Sequence, residues 1–140
     1  MEKEKWINRA FLFGGILFFI FATWFLYQHN LRSSIIRSRQ IMKYQQKELP
    51  AGKLCMYSNK LQIKNASSFF IGSDEWYVCC SKCAKKLKLN LGNSQFAKDP
   101  LTQERIKKVD AYAVLFNGLS DKVTYFKSEE NYKLFINKNN

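Results

Sequence analysis

The chain has 140 residues and a formal charge of +12. Once an apolar N-terminal segment and its flank are set aside, about 90 residues remain from Pro50 onward, which allows one small domain and excludes a multidomain enzyme. The charge favours anionic neighbours; beside an apolar segment the nearest such surface is the lipid headgroup layer, and with no recognition motif in the sequence nucleic acid is not expected as a partner.

Residues 1–9 form a basic flank containing Lys3, Lys5 and Arg9. From Ala10 to Tyr27 no residue is charged, and a helix over that run would be about 27 Å long, close to the hydrocarbon thickness of a bilayer. This predicts a single transmembrane helix over 10–28, with Trp6, Trp24 and Tyr27 near its interfaces. A cleaved signal peptide fits poorly: no small-x-small site follows, and bulky Trp24, Phe25 and Leu26 occupy that place. The expected protein is therefore an integral membrane protein with a single N-terminal anchor. Basic residues on the two sides of the span give only a slight bias toward a cytoplasmic C-terminal domain, and the side stays open.

Residues 29–50 contain no glycine, and the stretch reaches Leu49 before its first proline. Leu31, Ile35, Met42 and Leu49 recur at near-helical spacing, so the helix is expected to continue as a basic amphipathic stalk. Its Arg32, Arg37, Arg39 and Lys43 are candidate membrane-surface contacts, and its apolar stripe could lie along the headgroups, pack on the domain or contact a partner helix. Pro50-Ala51-Gly52 should end it and open a domain over 51–140.

Within that domain, Lys60–Lys64 and Ser68–Ile71 have strand character, Gly72-Ser73-Asp74 a turn, and Trp76-Tyr77-Val78 a strong strand leading into cysteines. Ser81 is a plausible N-cap for a helix through Cys83, Ala84, Leu87 and Leu91, with Lys82, Lys85, Lys86 and Lys88 on its wet face. Asp99-Pro100 marks a loop and Thr102–Lys108 a short helical stretch. Ala111–Phe116 and Lys122–Phe126 flank Asn117-Gly118-Leu119-Ser120-Asp121 as a β-hairpin. Ser128-Glu129-Glu130 then caps a terminal helix carrying Tyr132, Leu134, Phe135 and Ile136.

The sequence has four cysteines, Cys55, Cys79, Cys80 and Cys83. Thiolates at short spacing suit a soft metal ion. Cys79-x3-Cys83 on a strand-turn-helix would supply one side of such a site and Cys55 the other. Cys80 is a less certain fourth ligand, because adjacent strand residues point to opposite faces. The same cysteines could instead pair as disulfides or sit inert in a core, and the redox compartment would decide.

The run Glu75-Trp76-Tyr77-Val78-Cys79-Cys80-Ser81-Lys82-Cys83 resembles the TRASH and YHS family of cysteine motifs: one Cys, a gap of about twenty residues, then Cys-x3-Cys after an aromatic strand. Here the gap is 23 residues and Cys80 stands where that family usually has Ser. The resemblance covers residues 53–91. It implies a treble-clef-like fold, Zn(II) or Cu(I) as cofactor, and a role in heavy-metal sensing, trafficking or resistance.

Enzymatic chemistry is not expected. The single histidine, His29, lies at the predicted membrane interface, and no phosphate loop, paired-carboxylate motif or Ser-His-Asp set can be assembled. Cys80-x-x-Cys83 as a redox pair lacks a βαβ context. The sequence thus predicts an α+β protein: a transmembrane helix followed by a small treble-clef-like cysteine domain with a β-hairpin and C-terminal helix. A membrane-anchored metal-binding role is the leading reading. The alternative is an accessory subunit of a membrane complex, stapled by zinc or disulfides and bound to its partner through the stalk or terminal hairpin.

Overall fold

A long stretch without proline gives the first element of the computed structural model, helix α1, which runs Glu2–Tyr44. The structure describes residues 2–116, 118 and 120–139. Among them α1 is the one helix long and apolar enough to cross a membrane. The large apolar side chains of its membrane-length run are exposed, Phe11 at 77% and Trp24 at 57%. The Thr23 hydroxyl donates to the Phe19 and Ile20 carbonyls at 2.8 and 2.9 Å, so this polar group is satisfied within the helix.

The chain divides into two units, one ending at Arg37 and the other beginning at Ser38. The boundary corrects the predicted stalk over 29–50, because its last part belongs to the folded domain. The helix stops at Tyr44 rather than Pro50. Gln46 adopts left-handed φ of 57°, its amide donates to the Leu115 carbonyl at 3.2 Å, and that of Leu49 donates to Ala113 at 2.8 Å. Backbone partners on a distant strand thus replace the helical bonds that local propensity favours. Of the expected stripe Leu31, Ile35, Met42 and Leu49, only Leu49 is buried, and the buried helical residue is Ile41.

The second unit holds four two-stranded antiparallel ladders among the described residues. A single 3-10 turn at Ala51–Lys53 leads into β1 (Leu54–Cys55), which pairs with β2 (Lys60–Leu61). The hairpin β3 (Ser67–Ile71) and β4 (Asp74–Val78) turns through Gly72, whose φ of 63° suits glycine. Helix α2 (Ser81–Leu89) and the short α3 (Leu91–Ser94) follow. Then come β5 (Phe96–Lys98) with β6 (Arg105–Lys107), β7 (Tyr112–Val114) with β8 (Thr124–Phe126), and α4 (Glu129–Asn139). The α+β class holds, with the expected terminal hairpin and helix; Asn117 and Leu119 of the predicted turn lie outside the described residues.

The last hairpin is buried on both faces, and its residues alternate between two clusters with the period of a strand. Ala113, Leu115 and Tyr125 face the main core with Leu54, Met56, Trp76, Val78, Leu87, Ile41 and Leu49. Val114 and Phe126 face the other way, against Tyr132, Phe135 and Ile136 of α4. The hairpin is therefore the partition between two apolar clusters.

The predicted helix over Thr102–Lys108 is instead strand β6, registered Ala97↔Ile106. Asp99 imposes that outcome. Its Oδ1 accepts from the amides of Leu101 and Thr102 at 2.7 and 3.2 Å, closing the turn, while Oδ2 accepts from the Lys127 amide and Asn131 Nδ2 at 2.7 and 2.9 Å. Although burial pushes its carboxyl up, these donors outweigh burial and hold it below the ordinary carboxylate value. The sign follows: stability from ionised Asp99 is complete above the unfolded carboxylate pKa and fades as pH falls through the lower folded value. Asp99→Ala should cost about 3 kcal/mol or more at pH 7, from buried donors left without an acceptor. Denaturant midpoints of the wild type and Asp99→Asn should converge on acidification; a constant gap would contradict the assignment.

Candidate metal centre

The cysteines meet because strand pairing and a tight turn bring three elements to one point. Trp76 and Val78 alternate inward on β4, at 0% and 2% exposure, which seats the strand against the core. The Met56 amide donates to the Tyr77 carbonyl at 2.9 Å and lays the end of β1 beside that of β4. Cys55 closes β1, and Cys79 directly follows β4. Cys80 is extended, with φ −164° and ψ 165°, and is the N-cap of α2; Ser81, expected in that role, is the first helical residue. Cys83 thereby falls in the first turn of α2, and fully buried Leu87 pins the helix one turn further on.

The sulfurs of Cys55, Cys79 and Cys83 all lie within 4.8 Å of one another. The Cys79 and Cys83 sulfurs are 3.4 Å apart. A metal with bonds of about 2.3 Å to tetrahedrally arranged thiolates holds them about 3.8 Å apart, so the group needs only small side-chain adjustments to enclose an ion. Cys80 is not a member of that mutual group, but its sulfur sits 3.8 Å from Cys79, at the edge. All four thiols are free. Cys55 is buried, Cys83 half-buried, and Cys79 and Cys80 exposed, so the site runs from a closed floor to an open rim.

Electrostatics divide the thiols into two kinds. Burial pushes Cys55 up, but the Ser58 hydroxyl and amide and the Cys79 amide all donate to its sulfur and leave it below the ordinary thiol value. Cys80 is lowered chiefly by the Cys83 amide at the start of α2, within electrostatic reach but without the short contact of a side-chain cap. Burial raises Cys79, where hydrogen bonding from the Cys83 thiol works the other way and Cys55 and Cys80 add to the rise. Burial also raises Cys83, where all the neighbouring thiols add to it. Sulfurs this close cannot all ionise unless a cation joins them. A bound metal supplies that cation and deprotonates its ligands outright.

Sequence reasoning missed two supporting residues. Ser58 stands in a Cys55-x-x-Ser58 spacing, a signal that short loops around thiolates make readable. Lys108 is buried at 5% exposure and donates from Nζ to the Met56 carbonyl at 3.0 Å, next to Cys55 in the chain; nothing distinguishes it in sequence from the other basic residues. Arg32, Arg37, Arg39 and Lys43 are exposed on α1. Arg39 and Lys43, one turn apart, lie on the face opposite buried Ile41. Among the α2 lysines, Lys88 lies over the Phe69 ring and Lys86 over that of Tyr57, at 5.1 and 6.0 Å.

No family model, curated protein or solved structure matches the chain. The functional reading therefore rests on the geometry of the thiols and the character of the N-terminal helix.

Proposed function

We propose that this protein is a single-pass, membrane-anchored metal-binding protein that holds a soft cation, Zn(II) or Cu(I), through Cys55, Cys79 and Cys83, with Cys80 as the exposed fourth thiol. The observation that carries the reading is the convergence of three sulfurs from β1, the end of β4 and α2 within 4.8 Å. Chain positions 55, 79 and 83 meet at one point only because the fold brings them there. The hairpin β3–β4 followed by α2, with ligands at the strand end and in the first helical turn, supports a treble-clef-like description and the likeness to TRASH and YHS motifs. Sensing, trafficking or resistance suits a site whose outer thiols are exposed, because an incoming ligand can reach the ion. The exposed Arg32, Arg37, Arg39 and Lys43 fit contact with anionic headgroups beside an inserted α1.

The test is a paired count on the full-length protein, purified in detergent without reductant: bound metal by elemental analysis and free thiols after denaturation. About one metal per chain with all thiols titratable is the expected result. Absence of both metal and free thiols would sink the reading in favour of a disulfide-stapled domain.

A further inference from the structure

Lys108 is an ammonium in an unusual place. The residue is 5% exposed, buried beside Met56 and Tyr125. Among the described residues the ion pairs of the second unit use Lys60, Lys107, Lys127 and Lys133, and none involves Lys108. Its Nζ has the Met56 carbonyl at 3.0 Å and the face of Tyr125 5.6 Å from the ring centroid. One carbonyl and one ring are poor compensation for a buried charge, which ordinarily requires an anion. The Tyr125 hydroxyl does not supply it: it donates to Asn59 Oδ1 at 3.2 Å, and burial pushes its pKa up, so it stays neutral.

The anion is available on the neighbouring strand. Cys55 immediately precedes Met56, so the carbonyl that Lys108 holds at 3.0 Å is that of the residue following a ligand of the site. Three thiolates around a divalent ion leave one net negative charge, and one ammonium balances it. We infer that Lys108 is the built-in counter-charge of the thiolate site, a positioning residue that holds the Met56 carbonyl and favours loading of a soft divalent cation through Cys55. This rests on the metal-binding reading and deepens it. Without the metal, the buried Lys108 ammonium has one carbonyl and one ring as its partners. Filling the site completes the pairing.

The distinguishing consequence is a change of sign between the empty and filled protein. Lys108→Met keeps the unbranched stem and removes the charge. In the full-length protein in detergent it should lower Zn(II) affinity about ten-fold or more, the effect of losing an outer-shell partner, measured by competition with a chromophoric chelator. The metal-free variant at pH 6 should melt no lower than wild type, because an uncompensated ammonium has left an apolar site. Lys108→Arg, which retains the charge, should keep the larger share of the affinity. Equal Zn(II) affinity in wild type and Lys108→Met overturns the counter-charge role alone. A lower melting point, or failure to fold, of the metal-free Lys108→Met also overturns it, since packing would then explain the residue. Wild-type protein that takes up no Zn(II) overturns both this inference and the metal-binding reading.

Discussion

Replacing Cys55 with serine should reduce metal occupancy from about one ion per chain to nearly none, while Cys80→Ser should leave it largely intact. The contrast comes from position. Cys55 is the fully buried floor of the site and the only ligand contributed by β1, so without it the ion has thiols from the β4–α2 side alone. Cys80 lies outside the mutual 4.8 Å group and faces solvent. Loss of a direct ligand should weaken binding by more than the roughly 10–100-fold typical of outer-shell changes. Co(II) substitution provides the readout, because thiolate-to-metal charge-transfer absorption scales with the number of sulfur ligands. Undiminished absorption in Cys55→Ser, or its complete loss in Cys80→Ser, would reassign the ligands. Circular dichroism of each metal-free variant separates ligand loss from misfolding.

A fragment beginning at Lys53, where the cysteine motif begins, should fail to fold, whereas one beginning at Ser38 should fold cooperatively. Cutting at Lys53 removes Ile41 and Leu49, 3% and 4% exposed in the main core, together with the packed ring of Tyr44. Truncating a buried Ile or Leu costs about 2–5 kcal/mol each. Losing both approaches the roughly 5–15 kcal/mol that holds a whole domain together. The Leu49 amide bond to Ala113 disappears as well, leaving that carbonyl on the edge of β7 without its donor. Thermal unfolding by circular dichroism distinguishes the fragments: a sharp transition for the one from Ser38 and none for the one from Lys53. Matching transitions would mean that the end of α1 is an appendage rather than part of the core.

Sequence made some features legible and hid others for identifiable reasons. The apolar helix was readable because composition alone determines its character, and the Trp76–Val78 strand because aromatic and β-branched residues pack well on a pleated surface. The convergence of Cys55 with Cys79 and Cys83 was legible through spacing and the strand-turn-helix pattern. The end of α1 was not, because residues 45–49 remain compatible with a helix until Leu115 and Ala113 offer them backbone partners. Strand β6 was hidden similarly: Arg105-Ile106-Lys107 has no strong preference of its own. Its conformation depends on the turn closed by Asp99 and on the Arg105 guanidinium 4.0 Å from the Phe96 ring centroid across the ladder. Lys108 was illegible because burial is a tertiary property, and most lysines are solvated.

The bond between Leu49 and Ala113 also orders events during synthesis. Leu49 leaves the ribosome with the tail of α1, but its partner strand is translated roughly 60 residues later, some 3–12 s at ordinary elongation rates. Through that interval Cys55 has been made but lacks the hairpin that walls off its core, so its thiol is open to oxidants and adventitious ions. Closure of this long loop is an entropically expensive, late step. The nascent chain is therefore most vulnerable to wrong thiol chemistry after its apolar helix has emerged and before β7 and β8 arrive.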